Sequence, residues 1–85
     1  MPYPSELIER YIEENPRRRG PADARLKDEG TAVWALVSHL QAVAGGNLEA
    51  TAEAYGITAE AMQAALAYYH QHREPIDARI AWNAA

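Results

Sequence analysis

The 85-residue chain contains no cysteine, which excludes disulfides and thiolate metal sites and leaves the core to hold by packing alone. It has no apolar run near the roughly 20 residues that span a bilayer, and its first residues lack the basic-then-apolar pattern of a signal peptide. A cytoplasmic protein with no membrane partner is the expectation. Neither a catalytic serine signature nor a carboxylate pair of definable geometry occurs. No enzyme mechanism can therefore be assembled, and no cofactor or small-molecule substrate is implied. His70 and His72 lie two apart on a predicted helix and point to different sides, and His39 stands alone, so no metal site is expected. Basic side chains are the minority: the formal net charge of −4 argues against binding nucleic acid by overall electrostatics.

Such positive charge as there is lies toward the N-terminus. Residues 1–30 hold Arg10, Arg17, Arg18, Arg19, Arg25 and Lys27 against seven acids, whereas residues 31–85 hold only Arg73 and Arg79 against five. Three consecutive arginines, Arg17, Arg18 and Arg19, suit phosphates, an acidic partner protein or simply a solvated connector; on DNA they would add salt-dependent affinity without sequence information.

What is present in quantity is helical patterning, and the fold class it predicts is all-α, a small bundle of about five helices. "PSELIERYIEEN" places Leu7, Ile8, Tyr11 and Ile12 on one face behind Ser5 as a candidate N-cap. Pro16 ends that helix, and "NPRRRGPADARLKDEG" reads as an irregular connector with a short extended piece around residues 24–26. Then "TAVWALVSHLQAVAGG" sets Val33, Leu36, Val37 and Leu40 at helical spacing and stops at Gly45 and Gly46. Asn47 caps a third helix that Gly56 closes, and Thr58 caps the longest one, with Met62, Ala65, Leu66 and Tyr69 as its stripe. Pro75 is placed to open a last short arm, on which Ile76 and Ile80 share a face and Trp82 falls on another, so the arm has to pack on something else. The organisation expected is residues 1–30 as N-terminal helix and connector, and residues 31–85 as a helical domain with a C-terminal arm.

The stretch "EAYGITAE" carries the pattern of a helix-turn-helix. Ala52 lets two helices approach, Gly56 four positions later suits a left-handed turn, Ile57 follows as a buried aliphatic, and Met62 takes the core position on the second helix. A duplex would meet Thr58, Ala59, Glu60, Ala61 and Gln63, of which Gln63 has a good base-reading side chain. The alternative is a corner used for packing or dimerisation. A chain this short buries a thin core, so a homodimer is expected, formed through Met62, Leu66 and Tyr69 or through the first helix. Tyr68, Tyr69 and Trp82 either complete that core or anchor an interface.

"GT" at Gly30 and Thr31 leading into "VWALV", the turn "EATAEAYGIT", and the ending "ALAYYHQHREPIDARI" together resemble the domain-of-unknown-function 433 family of small bacterial proteins, VapB-like antitoxins with a helix-turn-helix. The resemblance covers about two thirds of the chain. Where the family usually continues after "GT" with an arginine and an aliphatic–proline pair, this chain has Ala32 and Val33. It implies a homeodomain-like or winged-helix-like unit, usually paired. It also implies a role as the antitoxin of a type II toxin–antitoxin pair, masking a PIN-like nuclease toxin and regulating its own operator DNA. On that reading Arg17, Arg18, Arg19, Thr58 and Gln63 contact DNA. Tyr69, Arg73, Arg79 and Trp82 bind the toxin, the arginines pairing with carboxylates and Trp82 filling a pocket.

Overall fold

A computed structural model describes residues 3–84. Met1 and Pro2, in the expected 1–30 segment, and Ala85, at the end of the expected arm, lie outside the described residues. The order of elements is α1 (Pro4–Tyr11), β1 (Ile12–Glu13), a 3₁₀ turn (Pro21–Asp23), β2 (Arg25–Leu26), α2 (Val33–Ala42), α3 (Leu48–Tyr55), α4 (Ala59–Gln71) and α5 (Arg73–Ala84). The protein is a small all-α bundle, with five helices and one two-stranded ladder among the described residues, in line with the helical patterning of the sequence. Among the described residues no helix is long and apolar enough to cross a membrane.

Local chemistry explains most helix ends. The Asn47 side chain accepts from the Ala50 N–H and the Thr58 hydroxyl accepts from the Ala61 N–H, each at the distance of a good cap (3.0 and 3.1 Å). Gly56 sits at φ 66° and ψ 33° and turns the chain between α3 and α4, a conformation that costs a side-chain-bearing residue about 1–2 kcal/mol. At α1 the expectation of Ser5 as cap is corrected: Tyr3 holds that place without a side-chain bond, and Pro4 is the first helical residue. The fixed φ of proline is already helical and its missing N–H would have had no partner there, so the helix starts one residue before Ser5.

α4 is the hub. It packs against α1, α2 and α3, and α2 in turn packs against α5. Its composition requires this, because Ala61, Met62, Ala64, Ala65 and Tyr69 are buried on a wide arc rather than a narrow stripe. Leu26, Val33, Leu36, Val37, Met62 and Ile76 are fully buried together, joining residues of both expected segments in one core with Leu7 and Ile12. Removing a side chain of this size from water contributes about 1.5–3 kcal/mol.

The connector is more regular than its composition suggests. Ile12 pairs with Leu26 and Glu13 with Arg25 in an antiparallel ladder. The Lys27 N–H donates to the Tyr11 carbonyl (2.8 Å), Leu26 to Thr31 and Val33 to Ala24 (both 2.9 Å). Alternation along this extended piece carries Ala24 and Leu26 inward. The extended piece around residues 24–26 is thus present, and long-range pairing to β1 is what orders it.

The C-terminal arm does not project. α5 begins at Arg73, two residues before the expected start at Pro75, because the first turn of a helix needs no backbone donor at that position. Its Ile76 is fully buried, and α5 lies across α2 and the 3₁₀ turn. What the arm packs on is therefore its own domain.

Candidate functional site

The outward face of α4 is the natural place to seek function, since in a helix-turn-helix that face meets the target. Thr58 is spent on the cap, leaving Gln63 near the start of the helix and Gln71 at its end as exposed side chains of DNA-reading type. Glu60 is held by a 3.0 Å ion pair to Arg10 of α1, so an acid and a base at the start of α4 neutralise each other. Beyond it, Gln63, Leu66, Ala67, His70 and Gln71 form the floor of an open groove of about 570 Å³, walled by Pro4 and Leu7 of α1 and Leu48 of α3. Five of these eight side chains are apolar. The groove lies where α1 and α3, both packed on α4, leave part of its face uncovered. It can exclude water from an apolar partner surface, and its lining holds no lysine or arginine for a phosphate.

The sequence pattern does not report this groove. Helical spacing puts Leu66 in one stripe with Met62 and Tyr69, yet Met62 and Tyr69 are interior while Leu66 is half-buried at the groove floor. The dimer route through that stripe is closed by the monomer's own core. The signal that points to the groove is the helix itself: apolar residues occupy nearly every face of α4, so three neighbours do not suffice to cover it.

Arg17, Arg18 and Arg19 sit far along the chain from α4 on a tight loop rather than a slack one. The Asn15 side chain accepts from the Arg17 N–H (2.9 Å), the Asn15 carbonyl from the Arg18 N–H (3.1 Å), and the Glu14 carboxylate from the Gly20 N–H (2.9 Å). All three arginines are exposed, and none forms an ion pair among the described residues. Glu14 also faces Tyr68, whose hydroxyl pKa is raised, first by burial and then by that carboxylate.

The four residues assigned to a partner divide into two places. Tyr69 is only 5% exposed; its hydroxyl donates to Asp77 (2.7 Å), and the Arg73 guanidinium lies over its ring at 5.6 Å. A partner therefore finds Arg73 but not Tyr69. Arg79 is stacked between the rings of Trp34 (4.5 Å) and Trp82 (4.9 Å) and pairs with Asp23 of the 3₁₀ turn at 3.3 Å. Its side chain is mostly buried, and its Nη1 has no hydrogen-bond partner among the described residues. This arginine clamps α5 to the turn and to α2. Trp82 keeps a broad exposed surface, at 68%, and Arg73 is exposed as well.

No known family, characterised protein or solved structure matches this chain. The antitoxin resemblance therefore rests on the three quoted stretches. In the fold these fall on the entry to α2, on the α3–α4 corner, and on the end of α4 with most of α5.

Proposed function

We propose that this protein acts by binding another protein, as the antitoxin of a toxin–antitoxin pair that occludes a PIN-like ribonuclease. The observation that carries the protein-binding part is the outward face of α4, a mostly apolar groove whose lining holds no lysine or arginine of the kind a DNA reader sets against phosphates. The antitoxin part rests on the resemblance. Occlusion then comes from contact area, with Arg73 and Trp82 as the exposed members of the four residues assigned to the toxin.

The test is co-expression with the product of the adjacent gene, followed by an RNA-degradation assay of that product with and without this protein. Capture with loss of nuclease activity is the expected result. Capture of a protein without nuclease activity removes the antitoxin role and keeps the binding role.

A stand-alone DNA-binding regulator is the second reading, favoured by the left-handed turn at Gly56 and by three exposed arginines free of ion pairs among the described residues. On that reading, affinity for an operator-length duplex falls steeply with salt, and replacing Arg17, Arg18 and Arg19 by alanine lowers the slope of log K against log salt by about 3.

A further inference from the structure

The charge of the molecule is not spread evenly over its elements. α1, α3 and α4, the three helices that form the groove, carry Glu6, Glu9, Glu49, Glu53 and Glu60 against Arg10 alone, a balance of −4. Everywhere else seven basic and seven acidic side chains cancel, so the whole net charge of −4 belongs to the groove helices. Four of the five carboxylates are exposed, and only Glu60 is in an ion pair among the described residues. Such like charges sum to a negative potential over this part of the molecule.

We infer that the groove docks a cationic amphipathic helix of a partner protein, its apolar side chains on Leu7, Leu48, Leu66 and Ala67 and its lysines or arginines drawn by the net negative charge of α1, α3 and α4. The inference rests on the protein-binding reading above and gives that partner its chemistry. The groove floor runs from Gln63 to Gln71, about 12 Å along the axis, which matches two turns of a helix and three anchors at i, i+3 or i+4, and i+7. A small molecule is disfavoured because the groove is open and few polar groups converge in it to orient one. A second copy docking through the same face would bring −4 against −4 around an apolar contact, and nucleic acid would meet the same repulsion.

The experiment uses the full chain, isotopically labelled, titrated with a synthetic leucine–lysine peptide of about 18 residues, long enough for five helical turns. Two controls accompany it: a scrambled-order peptide of the same composition, which has no apolar face, and a leucine–glutamate peptide with the same apolar face. We expect amide shifts centred on Gln63, Leu66, Ala67 and His70, and affinity about tenfold or more above both controls. Gln63→Lys, at an exposed position that leaves the core untouched, is expected to weaken the leucine–lysine complex about tenfold; Ala67→Trp, which fills the groove, abolishes it.

Equal binding of the leucine–glutamate peptide at the groove overturns the cationic partner and leaves the protein-binding reading standing. Shifts away from the groove, an equal response to the scrambled peptide, or no leucine–lysine binding overturn the inference. Self-association that Gln63→Lys disrupts assigns the groove to a second copy instead. If no peptide reaches the groove while an operator-length duplex perturbs α4, the protein-binding reading fails as well.

Discussion

The groove on α4 and the Arg79 corner are opposites built from similar materials. At the corner, two indoles, a guanidinium and a carboxylate from α2, α5 and the 3₁₀ turn come together, so the Arg79 guanidinium and its Asp23 partner are committed to holding the fold while Trp82 keeps an exposed surface. At the groove, aliphatic and neutral side chains of three helices face solvent with nothing across from them. A charged or aromatic residue is therefore no guide to where a partner binds until its own neighbours are known. Here the plainer residues are the accessible ones.

The largest expected effect separates the two faces of α4. Met62→Ala opens a cavity in the core and lowers stability by about 2–5 kcal/mol, whereas Leu66→Ala, at the half-buried groove floor, costs well under half as much; chemical denaturation of the two variants measures the difference. Equal losses would show that the groove is closed in solution.

The corner is probed by Arg79→Ala, expected to cost about 2 kcal/mol through lost stacking and a partly buried Asp23 left without its partner. Arg79→Lys keeps the charge but not the planar stack, so its loss falls between parent and alanine in the same denaturation series. If lysine matches arginine, the indoles contribute nothing and the corner is an ordinary ion pair.

Next in size is the turn that sets α4 beside α3. Gly56→Ala places a Cβ in the left-handed region at φ 66° and is expected to lower stability by about 1 kcal/mol, with a fall in melting temperature as the readout. Open space surrounds that position, so the penalty is one of backbone conformation alone.

The smallest effect belongs to Tyr68. Burial and Glu14 raise its folded pKa above that of the unfolded chain, so its contribution to stability is complete below the unfolded pKa and is lost as pH rises through the folded one. Above about pH 10, Tyr68→Phe is expected to lose stability less steeply than the parent. Identical pH profiles would mean that the hydroxyl stays solvated.

The helices were legible because their signals are local. Asn47 and Thr58 act as caps within three residues of themselves, Gly56 is needed at its own φ, and Val33, Leu36, Val37 and Leu40 declare a buried face by spacing alone. Ser5 misled because Pro4 beside it competes for the same helix start, and proline's fixed φ prevails. The candidate site was much less legible. Thr58 and Gln63 lie at the expected positions of the helix-turn-helix, but the groove needs Pro4, Leu48 and Leu66 from three helices, and no period within one helix reports that meeting. Arg79 looked free because the sequence does not show that Asp23 and Trp34 lie across from it.

Composition and short-range pattern alone determined an acidic, cysteine-free, all-helical chain with a glycine turn between two capped helices, because capping, φ preference and amphipathic spacing act over a few residues. Tertiary structure decided that β2 is held by β1, that Arg79 is engaged, and that α4 keeps one apolar face uncovered among acidic helices. Those outcomes join residues far apart in the chain, Arg79 and Asp23 being 56 positions apart, and whether a side chain is free or spent depends on what folding brings against it.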